Sequence, residues 1–257
     1  MNTPNYSCGI VLSGGGARGF AHIGVLKALN EHGIYPEAIS AVSAGAIVGV
    51  LYADGYTPDE IYEIIHDLDL LKVLRIRRPR LGVLKADGLR KVFSTHMRHQ
   101  RLEELPLPVT ICATNFTRAH TEYFEDGNII DAVLASSAIP LMLKPVSLAG
   151  NLYVDGGLMN NLPVEPLINK CRTIIGVNVN PVNEISKFKS FRNFIDRVVH
   201  LSIRANVLNN IQHCTFYLEP PHLMDYHWFK LSAAKEIVKL GYDYTKKTLQ
   251  SGQISMH

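Results

Sequence analysis

The chain has 257 residues, 47% of them hydrophobic, which suffices for a substantial core and reads as one domain over 1–257. A formal net charge of +3 is mild basicity and excludes the concentrated positive surface of a dedicated nucleic-acid binder. No apolar run reaches the roughly 18 residues of a membrane span, residues 1–7 lack a leader pattern, and Cys8, Cys112, Cys171 and Cys214 lack CxxC spacing, which together point to a soluble, cytoplasmic chain with reduced thiols.

Cys8 to Leu12 is a short apolar run that ends at Ser13 and three consecutive glycines, the pattern of a buried strand entering a tight turn. Apolar residues then recur at helical spacing from Phe20 through Ile23, Leu26 and Leu29, with Gly33 as the stop. The pattern repeats: Ala38 to Val42 predicts a strand, Ser43-Ala44-Gly45 a bend, and Ala46 to Tyr52 a helix whose small residues let it sit close to a sheet. Leu70 to Leu84 mixes aliphatic residues with Lys72, Arg75, Arg77, Arg78 and Arg80 around Pro79. It predicts an exposed basic loop over about 70–85, either a peripheral contact with anionic lipid at the inner membrane surface or a solvated loop.

Val109 to Ala113, Thr121 to Phe124, Leu152 to Val154 and Thr173 to Val179 predict further strands, with a helix over Ile129 to Ser137. From Phe191 the pattern is helical, with Phe191, Phe194, Ile195, Val198 and Val199 on one face and Ile203 and Leu208 continuing it; a last helix runs from Ser232 toward Leu249. The alternation predicts a three-layer α/β/α fold with a mainly parallel central sheet. The motif-bearing core spans about 8–180, and a helical part spans about 190–257.

Gly14-Gly15-Gly16-Ala17-Arg18-Gly19 contains GxGxxG between a strand and a helix, so a dinucleotide site is weighed first. Such a site also wants an acidic residue at the end of the second strand, where this chain has Val42-Ser43. Ser43 between strand and helix has the shape of a nucleophile elbow, G-x-S-x-G, with Ala41 at the first position; a plain helix-capping serine is the alternative. Consecutive small residues at a helix start expose N–H groups that favour an anion, so Gly15 and Gly16 are candidate donors to an oxyanion, with Arg18 adding charge or anchoring the loop. None of the eleven histidines sits in a recognisable turn motif, His22 falling inside the first helix and His213, His222 and His227 late in the chain. Asp155-Gly156-Gly157, by contrast, follows a strand at the sheet edge where ligands gather, although Asp-Gly is also a common surface turn.

Together with Ala135-Ser136-Ser137-Ala138-Ile139-Pro140, these motifs give the chain from Ile10 to Val179 a clear resemblance to the patatin-like phospholipases, in particular their small bacterial members. The resemblance implies hydrolysis of a lipid acyl ester, of phospholipase A or lysophospholipase type, through an acyl-enzyme. The implied machinery is a Ser43 nucleophile, Asp155 as general base without a histidine, and an oxyanion loop of Gly14, Gly15, Gly16, Arg18 and Gly19, with neither metal nor organic cofactor. Ala41 departs from the family's usual glycine. The other expectation, from a different class, is a regulatory member of the same fold that binds lipid or protein without turnover, with Tyr226, Trp228 and Phe229 near its interface. Nothing in the sequence speaks to oligomeric state.

Overall fold

The structure, a computed structural model, describes residues 4–66, 87–182, 184 and 191–252; the basic stretch at 70–85 lies outside them. Among the described residues, eight strands form one sheet in the order β5-β6-β3-β2-β1-β7-β8, with β4 on the free edge of β3. These are β1 (Tyr6–Leu12), β2 (Ala38–Val42), β3 (Val109–Asn115), β4 (His120–Phe124), β5 (Val146–Leu148), β6 (Asn151–Asp155), β7 (Cys171–Val177) and β8 (Phe216–Leu218). β1, β2, β3, β7 and β8 run parallel; β4 and β6 pair antiparallel with β3, and β5 pairs antiparallel with β6. β1 is flanked by a strand on each edge and covered on both faces, which is why Ile10, Val11 and Leu12 are all fully buried.

Alternate residues of β1 feed two separate cores. Cys8, Ile10 and Leu12 face the larger one, with α1 (Phe20–Glu31), α2 (Ala44–Ala53), α3 (Pro58–His66), α4 (Asp87–His96), α5 (Ile129–Ser136) and α7 (Ala234–Gln250). Val11 faces a smaller one with Leu162, Leu167, Ile174 and Val207, the last from α6 (Phe191–Ile211). Two helical layers thus sandwich the sheet, as the chain alternation predicts.

α1 is buried almost all round because α7 crosses it at reciprocal glycines. A Cβ on Gly24 would lie 2.0 Å from the Val238 carbonyl oxygen, and one on Gly241 would lie 2.2 Å from that of Ala21. Both obstacles are backbone, so neither can swing aside. Gly24→Ala is expected to lower stability by about 1–3 kcal/mol, the usual cost of overpacking; an unchanged denaturation midpoint would contradict so close a crossing.

The N-terminal half of α6 behaves differently from its sequence reading. Phe194, Val198 and Val199 are exposed, and the side chains turned to the smaller core are Ile203, Val207 and Ile211 further along. Leu208 is exposed as well, the side chains of Phe191 and Ile195 lie outside the described residues, and Val198 and Val199 border the cleft described next.

Candidate active site

Two strands run toward each other along the same edge of β3. β2 is parallel to it and stops with Val42 opposite Cys112; β6 is antiparallel and stops with Asp155 opposite Ala113, the next residue. The other edge of β3 is taken by β4 over Ile111 to Asn115, so β2 and β6 must share one side. Their ends meet, and the residues at those ends are Ser43 and Asp155.

Ser43 lies at φ 53° and ψ −122°, a left-handed conformation unusual for a residue with a side chain. It is held there by Ser136 on α5, whose hydroxyl accepts from the Ser43 N–H at 2.8 Å and donates to the Cys112 carbonyl at 2.6 Å. α2 begins immediately after, and a Cβ on Gly45 would lie 2.3 Å from the Leu12 carbonyl oxygen, so the helix start presses against β1. Ala41 is fully buried in the main core. Its methyl is accommodated because α2 presents Gly49 there, where even a Cβ would lie 3.5 Å from that of Ala41.

The Ser43 hydroxyl donates to Asp155 Oδ2 at 2.5 Å, and Asp155 Oδ1 accepts from the Gly157 N–H at 2.8 Å. The Asp155 main chain is fixed from both sides, its N–H donating to the Ala138 carbonyl and its carbonyl accepting from Thr114 Oγ1. Burial raises the Asp155 pKa from 3.8 to about 6, against the opposing effect of the hydrogen bonds from Ser43 and Gly157. The carboxyl group is therefore poised to change protonation just below neutrality.

The glycine loop stands beside this pair. A Cβ on Gly14 would be 3.1 Å from Ser43 Cβ, which puts the loop's first residue in contact with the serine. The Gly14 carbonyl accepts from Asn180 Nδ2 at 2.5 Å and from Ser13 Oγ at 3.1 Å. Since a peptide's carbonyl and N–H point in opposite directions, holding that carbonyl on the Asn180 side aims the Gly15 N–H the other way. The amides of Ala17 and Arg18 are already committed, to the carbonyls of Trp228 and Gly15.

Arg18 and Gly19 do other work. The buried Arg18 guanidinium donates to the Tyr226 carbonyl at 2.7 Å and toward that of Met224 at 3.4 Å, and desolvation lowers its pKa to about 10. It pins the loop to the segment at 221–231 and does not line the cleft. Gly19 packs on α2, where a Cβ would come 2.5 Å from that of Ala44. His22, fully buried, is bonded through Nε2 to the Ser13 carbonyl at 2.8 Å, and burial lowers its pKa to about 4. It steadies the start of the loop as a neutral imidazole and has no contact with Ser43.

Ser43 lies where two lobes of a cleft meet. One lobe, about 150 Å³, is lined chiefly by Phe20, Ile47, Val48, Leu89, Leu143 and Phe229. The second, about 310 Å³, holds Asp155, the three glycines, Asn161 and Asn180, with Leu141, Leu158, Val198 and Val199 along it. Trp228 borders both, its ring stacked on His200 at 4.5 Å. Sequence reading did not single out Ser136, Asn180 or Trp228 for the site. The signal for Asn180 was present: polar Asn178 and Asn180 interrupt an apolar run at the carboxyl end of a buried strand.

The family model described as "Patatin-like phospholipase" matches residues 10–168, more than half of the chain. An uncharacterized NTE family protein of Mycobacterium tuberculosis is 35% identical over 161 residues, covering 62% of this chain and 44% of the relative. A lysophospholipase NTE1 of Cryptococcus neoformans var. neoformans serotype D is 35% identical over 195 residues, covering 69% of this chain and 11% of the relative. The chain thus spans less than half the length of either. Among solved structures, VipD from Legionella pneumophila aligns with a TM-score of 0.60 at 19% identity, covering 96% of this chain and 67% of that one, a likeness of fold.

Proposed function

The chain belongs to the patatin-like phospholipase family, and from that premise we propose that it is a serine acyl-hydrolase of lipid esters working through a Ser43–Asp155 dyad. The observation that carries this reading is the 2.5 Å hydrogen bond from a positive-φ serine to a buried carboxylate, at the junction of an apolar lobe and a glycine loop.

Asp155 Oδ2 takes the Ser43 proton as Oγ attacks the ester carbonyl, and the negative charge that develops on the carbonyl oxygen is met by the N–H groups of Gly15 and Gly16. Collapse of the tetrahedral species expels the alcohol, which receives the proton from Asp155, and leaves the acyl group on Ser43. Water then gives a proton to Asp155 and attacks the acyl-enzyme. The acyl chain occupies the apolar lobe, where burial of each methylene is favourable by about 0.8 kcal/mol. A carboxylate is a weak base for a hydroxyl; its burial beside Ser43 narrows that gap by raising its proton affinity. The name of the fungal relative makes lysophospholipids natural first candidates among substrates.

The test is release of free fatty acid from a mixed lipid extract, identified by mass spectrometry, together with covalent labelling by a fluorophosphonate. Ser43→Ala is expected to abolish both. Labelling that persists in folded Ser43→Ala protein refutes the nucleophile, and folded wild-type protein that neither labels nor turns over is a binding protein.

A further inference from the structure

Beyond Val177 the chain of β7 runs on through Asn178, Val179 and Asn180, two asparagines that are only 0% and 4% exposed. Burying an amide is unfavourable unless its hydrogen bonds are made inside, so the partners of these two show what they hold. Asn180 Nδ2 donates to the Gly14 carbonyl at 2.5 Å. The Val179 N–H donates to Ser13 Oγ at 3.0 Å, and that hydroxyl donates to the same Gly14 carbonyl at 3.1 Å. Both donors to this carbonyl are thus placed by one three-residue segment. Gly15 lies directly on it: a Cβ there would come 2.4 Å from Val179 Cγ2 and 3.3 Å from Asn180 Oδ1.

A second tier of bonds holds the segment itself. The Asn180 N–H donates to Asn178 Oδ1 at 3.2 Å, and Asn178 Nδ2 donates to Glu219 Oε1 at 2.6 Å and to Tyr217 Oη at 3.0 Å. Glu219 Oε1 also accepts from Tyr217 Oη at 2.6 Å and from the Arg204 guanidinium on α6. Three donors therefore converge on one carboxylate oxygen just past the end of β8. Hydrogen bonds to an ionised acceptor are roughly twice as strong as neutral ones, and here they fix the Asn178 amide in one orientation. Asn178, Asn180, Arg204, Tyr217 and Glu219 all lie beyond residues 10–168, which the family model matches.

Resting on the Ser43 acyl-hydrolase reading, we propose that Asn180 is a positioning residue for the oxyanion, held in its own place by Glu219 through Asn178. Because the Gly14 carbonyl and the Gly15 N–H belong to one peptide plane, fixing the first fixes the second. Asn180 keeps that N–H turned away from 178–180 and ready for the charge that develops on the substrate carbonyl, with no reorganisation left to make during reaction. Glu219 touches neither substrate nor dyad; it acts through two amides on a single peptide plane.

The test uses the full chain, a p-nitrophenyl acyl ester, and two ketones with the same alkyl chain. Ser43 Oγ adds to the carbonyl carbon of the trifluoromethyl ketone, Asp155 takes the proton, and the carbonyl oxygen becomes an oxyanion in the loop; the methyl ketone stays unreacted and reports binding alone. Asn180→Leu keeps about the same side-chain size and removes the donor. It is expected to lower kcat by about tenfold or more, less than the roughly 10²-fold or more for outright loss of an oxyanion donor, since Ser13 still holds the carbonyl. KM should change little. Affinity for the trifluoromethyl ketone should fall by the same factor as kcat/KM, and affinity for the methyl ketone should stay. Glu219→Ala should show the same pattern at smaller size, and Glu219→Gln, which retains an acceptor, should recover part of it. Wild-type kcat in folded Asn180→Leu overturns the proposal, and so does a lower kcat with undiminished trifluoromethyl ketone affinity, because a purely structural role reduces the folded fraction without weakening the oxyanion adduct. Wild-type kinetics in Glu219→Ala overturn the part given to Glu219, and overturn the whole where Asn180→Leu does not fold. All these outcomes leave fluorophosphonate labelling of wild-type Ser43 intact, whereas absence of labelling overturns the nucleophile and this proposal with it.

Discussion

Asp155→Asn is expected to cut turnover of a p-nitrophenyl acyl ester by about 10³-fold or more and, at neutral pH, to make the protein more stable. The loss of activity follows from removing the base that accepts the Ser43 proton. The gain follows from linkage. Folding raises the Asp155 pKa from 3.8 to about 6, so the native state binds this proton more tightly than the unfolded chain does. That contribution to stability is fully present below pH 3.8 and is lost as pH rises through about 6. At pH 7 to 8 the native state therefore carries an ionised buried carboxylate at a cost of about 2–3 kcal/mol, at roughly 1.4 kcal/mol per pKa unit. Asparagine has nearly the same shape, can still accept from the Gly157 N–H, and carries no charge. Melting curves should show the variant several degrees above the wild type at pH 8 and converging with it toward pH 4. Curves that stay parallel across this range would mean that Asp155 is not the buried, proton-holding group. In the wild type, kcat/KM should rise with unit slope up to about pH 6 and then level, without a histidine limb.

Gly16→Ala should be nearly as damaging to catalysis through a different route. Gly16 sits at φ +56°, and a Cβ there would lie 2.6 Å from the Trp228 carbonyl, the same oxygen that accepts the Ala17 N–H at 2.7 Å. Relief requires the loop to swing away from that segment, and the loop carries the donors proposed for the oxyanion. Losing one such donor costs about 10²- to 10³-fold in kcat. The expected signature is a fall in kcat with KM little changed, because these donors act on the transition state. A rise in KM alone would place Gly16 in substrate binding instead.

The parallel centre of the fold was legible because buried strands announce themselves: β1, β2 and β3 fall where short apolar runs end at glycine, serine or polar residues. β7 was read two residues too late, as 173–179 where the strand is Cys171–Val177, because Val179 continues the apolar pattern past the last paired residue. β5 and β8 escaped notice, each only three residues long and too short for periodicity to register. α3 carried a clear start signal that went unread. Thr57-Pro58-Asp59-Glu60 is a capping box with proline at the first helical position, and both reciprocal bonds are formed, from the Glu60 N–H to Thr57 Oγ1 and from the Thr57 N–H to Glu60 Oε2. At the site, Ser43 and Asp155 could be named in advance because each closes a strand at a glycine-bearing turn. The place of Trp228 could not, since what marks it is a contact made on folding, its carbonyl accepting the Ala17 N–H at the glycine loop. That property belongs to the assembled chain.

Ser43 and Asp155 are 112 residues apart in sequence, and neither reaches the other through a loop. The strands that carry them abut on consecutive residues of β3, so the spacing of the pair is ruled by the pitch of a strand, about 3.3 Å per residue. Such a site has little freedom to fail by itself. On heating, inactivation should coincide with the cooperative melting of the sheet, and in refolding experiments activity should return only in the last kinetic phase, when β2 and β6 have both docked.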